Sequence, residues 1–336
     1  MSIKKVMLII AVLLAAAFVL AACAGPAGPA GPAGPTGPTG PKGDTGPLPS
    51  AADLTCTACH NHTNLITGKA DAWSQSLHGS GLLYLSEGPT AGCAGCHSGS
   101  GFTADLVAGL TPDKSVADPN PTPQDCRACH KIHTSYTIDD FALTTIAPVA
   151  MYATTTTYDG GEGNLCANCH QARRVIPAAA ADGTIKVDST HWGPHHGPQS
   201  DMLLGVGGAG AVAGTPSPHY STVPNTCVTC HMGDSKNHTF TPDVATCTTC
   251  HKDAKDFDMN GAVTTLDGKI AKLKVALTAA HMLDAKGGIV VGTYPAAKAN
   301  ALWNYLLVGI EDKSQGVHNM PYANALLDAS LAAFGK

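Results

Sequence analysis

The sequence has few of the side chains that build an ordinary globular core and surface. Only 5% of its 336 residues are aromatic and 13% are charged, whereas about a quarter of the residues in a typical globular protein are charged. Basic residues do not outnumber acidic ones, and the formal net charge is −5, which excludes a protein that neutralises nucleic-acid phosphates. Since large side chains are scarce, we expect something other than protein to supply much of the apolar filling.

Long apolar runs are also scarce, and the clearest one lies near the N-terminus. Lys4 and Lys5 precede an apolar run over residues 6–22, which is the layout of an export signal. The sequence from Leu20 to Cys23 resembles the lipobox of bacterial lipoproteins. Ala24, directly after the cysteine, resembles the residue at that position in lipoproteins that are sorted to the outer membrane. We therefore predict a signal peptide over residues 1–22 and a lipid on Cys23; a plain anchor helix and an ordinary cleaved signal are the alternatives.

A repetitive tract follows the predicted lipid. From residue 25 to residue 47 glycine occupies every third position, eight times in succession. This is the period of collagen, and three such chains could wind into a triple helix that makes the protein a trimer. We favour the alternative, a polyproline II tether, which at about 3.1 Å per residue would span roughly 70 Å. Residues 23–53 are thus predicted to be the lipidated cysteine and its tether.

Twelve of the thirteen cysteines belong to one pattern, C-x-x-C-H, which occurs six times. In c-type haem attachment the two thiols add to the porphyrin vinyl groups and the adjacent histidine becomes an iron ligand. A zinc half-site, a redox pair or a disulfide would leave six histidines unexplained. The pattern predicts six covalent haem c groups, held by Cys56, Cys59 and His60; by Cys93, Cys96 and His97; by Cys126, Cys129 and His130; by Cys166, Cys169 and His170; by Cys227, Cys230 and His231; and by Cys247, Cys250 and His251.

Ten further histidines remain for the sixth coordination position of the six irons. Neutral imidazole is a common haem ligand, so we predict histidine at every such position and low reduction potentials. His62, His191 and His281 are expected to be ordinary histidines or to contact a ligand rather than an iron. Local context favours seven candidates for the six positions, with at least one of the two adjacent histidines at 195 and 196 as a ligand: His78, His133, His195, His196, His219, His238 and His318.

The segments between the motifs predict little regular structure. They are rich in Gly, Pro, Thr and Asp, which favour turns and loops, and Cys227 lies only 20 residues before Cys247, so the fifth and sixth haems should be close neighbours. Helical periodicity returns over residues 267–284 and 296–310, and in a last segment that Asn319 caps. We predict a mainly α fold with extensive loops and almost no sheet, in which residues 54–258 wrap round a haem stack and residues 259–336 pack against it as helices.

These motifs resemble the multihaem c-type cytochromes of metal-reducing bacteria, particularly the exported lipoproteins that carry electrons at the outer surface. The six motifs, His195–Gln199 and Asn237–Phe240 carry the likeness. The segments 303–305 and 316–319 are also similar to the C-terminal helices of the broader family that includes pentahaem nitrite reductase. The sequence departs from that enzyme because every motif ends in His, with no C-x-x-C-K haem and no clear active-site Arg and Tyr pair.

The resemblance implies electron transfer rather than conversion of a substrate. The expected partners are other cytochromes or redox proteins, metal oxides, and a membrane reached through the lipid. The expected location is the outer membrane, facing the periplasm or the outside. Two alternatives stay open: a reductase of a small nitrogen or sulfur compound, which needs one open iron, and a trimeric or filamentous cytochrome assembly.

Overall fold

The computed structural model describes residues 66–111, 114–195 and 197–336. They all belong to one unit, Pro49–Lys336. Several predictions lie outside the described residues: the lipid on Cys23, the collagen-like tract, the first haem motif with Cys56, Cys59 and His60, and the histidines His62 and His196.

Short helices alternate with loops from residue 66 to residue 258. Polar side chains begin several of them: Ser76, Asp125, Ser217 and Asp243 each accept a backbone N–H of the first turn, which satisfies a donor that the helix itself leaves unpaired. The helices are α1 (Thr67–Ser74), α2 (Leu77–Ser80), α3 (Leu83–Glu87), α4 (Ala94–His97), α5 (Gly99–Ala108), α6 (Cys126–Cys129), α7 (Asn164–Ala167), α8 (Gln199–Leu204), α9 (Pro218–Thr222), α10 (Cys227–Met232) and α11 (Val244–Cys247). Single 3₁₀ turns cover Ile138–Phe141, Gly161–Gly163 and Met259–Gly261.

The described part of the chain contains two small antiparallel sheets. In the first, β1 (Val149–Ala150) pairs with β2 (Thr157–Tyr158). In the second, β3 (Thr184–Val187) pairs with β4 (Gly292–Pro295), with Thr184 opposite Pro295. The second sheet joins the motif-bearing region to the C-terminal region.

The C-terminal region contains the three predicted helices. They are α12 (Ala262–Ala279), α13 (Ala296–Tyr305) and α14 (Met320–Ala332). Helix α12 begins and ends before its apolar periodicity predicts, because the Asp258 carboxylate accepts the N–H groups of Val263 and Thr264 and because His281 adopts a left-handed φ of 55° just after the last turn.

A π-helix, Leu306–Glu311, continues α13. The Asp312 N–H donates to the carbonyl of Leu307 at 3.0 Å, so the helix accommodates one more residue per hydrogen-bonded ring than an α-helix does. Such segments are rare and frequently lie at functional sites. The periodicity of the sequence does not predict it.

The main hydrophobic core lies among these C-terminal helices. Leu273, Leu302 and Leu327 are fully buried there, and the rings of Trp192 and Trp303 meet edge to face with centroids 5.2 Å apart. A smaller cluster surrounds Tyr158 and the end of α8.

The predicted fold class is confirmed: the protein is mainly helical with long irregular loops and very little sheet. None of the helices in the described part of the chain has the length and hydropathy of a membrane span.

Candidate functional site

The five described C-x-x-C-H motifs share one backbone conformation. In four of them the histidine N–H donates to the carbonyl of the first cysteine at 2.8 to 3.0 Å, and in the fifth the motif lies within helix α10. Since residues three and four apart lie on one face of a helical turn, each turn presents both thiols and the imidazole on the same side. This is the arrangement that attachment of one flat group through three residues requires.

The first motif is not among these five. Cys56, Cys59 and His60 lie outside the described residues, so attachment of a haem by these two thiols and ligation of its iron by this histidine stay predictions. The sequence pattern alone supports them, because the motif has the same spacing as the other five.

Four motif histidines lie opposite a histidine that the sequence predicts as a distal ligand. The ring centroids are 6.0 Å apart for His78 and His170, 6.1 Å for His130 and His238, 6.2 Å for His219 and His251, and 6.4 Å for His231 and His318.

These separations match two imidazoles on opposite sides of one metal ion. Two metal–nitrogen bonds of about 2 Å, added to the distance from each nitrogen to its ring centre, give a centroid separation of roughly 6 Å. Direct stacking of the two rings would bring them closer. The residues present therefore fit a haem at each of the four pairs.

The protonation of the paired rings supports the same fit. The Nδ1 atoms of His130, His231 and His219 lie 2.7, 2.9 and 2.8 Å from the backbone carbonyls of residues 141, 240 and 317, and that of His238 lies 2.8 Å from the carbonyl of residue 236. A carbonyl only accepts, so each Nδ1 carries a proton, and in the neutral ring the lone pair is then on Nε2. In the His130/His238 pair both rings have this tautomer, and the two cannot hydrogen-bond to each other through Nε2.

Burial favours the neutral form in two of the distal candidates. It lowers the pKa of His78 to about 4, with a smaller contribution from nearby His170, and it also lowers the pKa of His238, assisted by Lys69 and His130. Neutral imidazole is the form that binds a metal.

Two residues that the sequence did not predict, Gln199 and Asp312, contact the Nδ1 atoms of paired histidines through their side chains. Gln199 Oε1 lies 3.0 Å from Nδ1 of His170, and Asp312 Oδ1 lies 2.6 Å from Nδ1 of His318. Burial acts to lower the pKa of His318, but the Asp312 carboxylate outweighs it and raises that pKa. Gln199 belongs to a segment that carries the family resemblance, whereas no sequence signal singled out Asp312.

The structure places other predicted ligands differently. The ring of His133 lies parallel to that of Tyr136 with centroids 5.3 Å apart, and the backbone N–H of His133 donates to the Asp140 carboxylate. His195 is half-buried in a left-handed conformation with φ of 72°. Their ligation, and the distal partner of His97, stay predictions. Within residues 66–111, 114–195 and 197–336 no group of three or more His, Cys, Asp or Glu side chains converges as a metal site.

Cysteines of different motifs contact one another. The thiols of Cys169 and Cys96 lie close enough to interact, and the Cys169 thiol also approaches the carbonyl of Gly95 at 3.7 Å. On the other side of the fourth motif, the thiol of Cys166 interacts in the same way with that of Cys227 of the fifth. The fourth motif therefore lies between the second and the fifth.

Comparison with known proteins shows a similarity of fold. No family model matches the sequence, and no curated protein matches it. Similar solved structures include the outer cell wall cytochrome OcwA, with 22% identity and a TM-score of 0.50 over 78% of this chain and 49% of that one. They also include an undecahaem cytochrome from the S-layer of Carboxydothermus ferrireducens, with 20% identity and a TM-score of 0.43 over 78% of this chain and 40% of that one.

The chain spans about half the length of OcwA. Over 78% of its length, this chain has a fold similar to part of that cytochrome.

Proposed function

We propose that the protein is a multihaem c-type cytochrome that transfers electrons through six covalently bound haems. The observation that carries the proposal is the set of four histidine pairs whose ring centroids lie 6.0 to 6.4 Å apart, each containing one motif histidine. A bound haem supplies one-electron chemistry between ferric and ferrous iron. The two thiols of each motif would attach it, and in four of the motifs the paired histidines would both bind its iron.

Filled axial positions favour electron transfer over substrate chemistry. With a histidine on each side, the iron has no open position at which a small molecule could bind. The proposed axial pairs are His170 with His78, His130 with His238, His251 with His219, and His231 with His318. The same role is proposed for the motifs at His60 and His97. The candidates for their distal ligands are His133, His195 and the histidine at position 196.

The contacts between motifs give the proposed route. Cys96 meets Cys169, and Cys166 meets Cys227. The edges of the second and fourth haems would therefore be adjacent, and so would those of the fourth and fifth haems. Cys230 interacts electrostatically with Cys247, which extends the route to the sixth motif, as the short spacing between those motifs predicts. The third motif approaches the fourth through Cys129. The fourth haem would then be the branch point.

The axial assignment is tested by removing single distal histidines and counting spin states. In the oxidised holoprotein we expect low-temperature EPR to show six low-spin haems for six bound irons. His78→Ala should convert one haem to the high-spin state and leave five low-spin. His281→Ala is the matched control, because this histidine is exposed and faces no motif histidine in the described structure; it should leave all six unchanged.

Two results would overturn the proposal. If His78→Ala keeps six low-spin haems, the pairing is wrong. If the wild-type protein already contains a high-spin haem, one iron is open, and the reductase alternative is then tested with nitrite, hydroxylamine and sulfite.

The route is tested by removing the proposed branch point. Cys166→Ala with Cys169→Ala should yield a protein with one haem fewer, which mass spectrometry checks. We expect film voltammetry of this variant to show slow reduction of the second and third haems. The same double substitution at Cys247 and Cys250, at the proposed end of the route, should leave exchange among the other haems fast. Equal rates in the two variants would contradict the branched order.

The count of six is tested at the first motif. Cys56→Ala with Cys59→Ala should lower the mass of the holoprotein by one haem and the bound iron from six to five. An unchanged mass, apart from the two substitutions, would show that this motif holds no haem.

We further propose that the protein is an exported lipoprotein that passes electrons to another redox protein or to a metal oxide outside the inner membrane. The support is the sequence from Leu20 to Cys23 and the haem attachment that six motifs imply. Cys23→Ala should release the protein from the membrane fraction. Size exclusion with and without residues 25–47 tests the trimer, because loss of the tract should change the oligomeric state only if the tract forms a triple helix.

A further inference from the structure

The axial candidate His318 differs from the other paired rings in the chemistry of its partner. Among the six paired histidines for which the structure gives an Nδ1 contact, five face a neutral oxygen: four backbone carbonyls and the Gln199 amide. His318 alone of these six faces a carboxylate, at 2.6 Å from Asp312 Oδ1. The Asp312 side chain is fully shielded from solvent, and that of His318 is 17% exposed.

The carboxylate is held in place from several directions. The Ser314 hydroxyl donates to its second oxygen, Oδ2, and the same hydroxyl accepts the N–H of His318 at 3.2 Å. The backbone of Asp312 is fixed by the last hydrogen bond of the π-helix, to Leu307. Asp312 therefore has no freedom to turn away from the imidazole.

Gln199 connects this carboxylate to the neighbouring site. Its Nε2 donates to the carbonyls of Glu311 and Asp312, both at 3.1 Å, while its Oε1 accepts from Nδ1 of His170. The same π-helix end thus supports one ligand candidate of the fourth haem through an amide and one of the fifth through a carboxylate. The two neighbouring haems differ by one formal negative charge next to an axial ring.

We propose that Asp312 is a positioning residue that gives the haem between His231 and His318 the lowest reduction potential of the four haems held by the paired histidines. The inference rests on the proposed function, since it assumes that His318 is a ligand. A carboxylate hydrogen-bonded to Nδ1 orients the ring and makes its Nε2 more basic, and its buried charge attracts the ferric state more strongly than the ferrous state. The haem would supply one-electron transfer with a neighbouring haem, and His318 would keep its proton on Nδ1, facing Asp312, in both oxidation states.

The experiment combines EPR with redox titration of the holoprotein. His318→Ala identifies the fifth haem, because its low-spin signal disappears and a high-spin signal replaces it. In the wild-type protein we expect that signal to be the last of the four to disappear as the potential is lowered. This measurement requires no change at Asp312.

Asp312→Asn keeps an oxygen that accepts from His318 but removes the charge. Changes in the partners of metal ligands typically alter affinities by a factor of about 10 to 100, and a tenfold shift of the reduction equilibrium corresponds to 59 mV for one electron. We therefore expect the fifth haem to become at least tenfold easier to reduce. Asp201→Asn, which removes a buried carboxylate that contacts no ligand ring, should shift the same signal much less.

The outcomes separate the two proposals. If His318→Ala produces no high-spin haem, the ligand assignment fails. If a high-spin haem does appear, two further results would overturn the tuning role of Asp312. One is a fifth haem that is not the hardest of the four to reduce. The other is an Asp312→Asn variant whose fifth-haem potential shifts no more than that of Asp201→Asn. In both cases the proposed electron transfer stands.

Discussion

Residues 66–148 and residues 262–332 differ in what covers their apolar side chains. In the first region Ala94, Phe102 and Ala128 are the buried hydrophobic residues, and several leucines, including Leu77 at 84% and Leu82 at 66%, face outward. In the second region large side chains from three helices fill a continuous core. The C-terminal helices are stabilised by protein packing, whereas the motif-bearing region presents apolar surface, which we expect the proposed haems to cover.

The largest effect is expected when haem attachment is prevented. In a chain produced without haem, we expect amide hydrogen exchange to be fast throughout residues 66–148, because almost no side-chain burial remains there. The amides of α12 and α14 should stay partly protected, since their core is made of protein. Equal protection of the amides in both regions would contradict the conclusion that the C-terminal helices are stabilised by protein packing and residues 66–148 are not.

A smaller effect is expected from a cavity in the C-terminal core. Leu273→Ala removes a fully buried side chain and should lower the free energy of unfolding by about 2–5 kcal/mol. Val275→Ala on the same helix is the matched control, because that side chain is 70% exposed. Guanidinium titrations should show that Val275→Ala changes the free energy of unfolding very little. Similar losses for the two variants would show that α12 is not packed as described.

Asp201, in helix α8, lies outside both regions, and its effect on stability should depend on pH. Its Oδ2 accepts the N–H of Ala172 at 2.7 Å, just after the fourth motif, and burial raises its pKa from 3.8 to about 6. Because the folded pKa exceeds the unfolded one, the contribution to stability is complete below pH 3.8 and is lost as the pH rises through about 6.

This shift corresponds to roughly 3 kcal/mol at most. Asp201→Asn should therefore stabilise the protein at pH 7 by up to that amount and have little effect at pH 4. Denaturant titrations at the two pH values check this expectation, and a stabilisation that does not depend on pH would contradict it.

The smallest effect is expected at a helix cap in the motif-bearing region. Helix α2, which carries His78, has no buried residue, and its Ser76 cap accepts the N–H of Gly79 at 3.2 Å. Ser76→Ala should cost about 1 kcal/mol, measured by denaturant titration. Ser86→Ala on α3, where the hydroxyl contacts only a carbonyl of its own helix, is the control and should cost less.

The sequence predicted the features that depend on local spacing. The three C-terminal helices and the Asn319 cap, which accepts from Tyr322, follow from residues a few positions apart. Four of the predicted distal candidates lie opposite motif histidines in the structure, but the sequence did not indicate which motif histidine each one faces. His231 and His318 are separated by a long stretch of chain, and no periodicity links them.

Features that depend on the course of the backbone in turns were not predictable in the same way. The π-helix Leu306–Glu311 leaves no mark in the apolar periodicity, and Asp312 meets His318, six residues on, because the chain turns between them. His133 was chosen for its closeness in sequence to the third motif, yet its observed ring contact is with Tyr136. The sequence contained these residues, but its local patterns did not indicate the turns that bring them together.

The contacts between Cys96 and Cys169, and between Cys166 and Cys227, also bear on how the protein matures. Neighbouring thiols are oxidised to disulfides in an oxidising compartment, which the protein would enter if it is exported as proposed. Each such bond would take one attachment sulfur from each of two motifs. The proposed haem attachment at the second, fourth and fifth motifs would then have to be faster than the oxidation of neighbouring thiols.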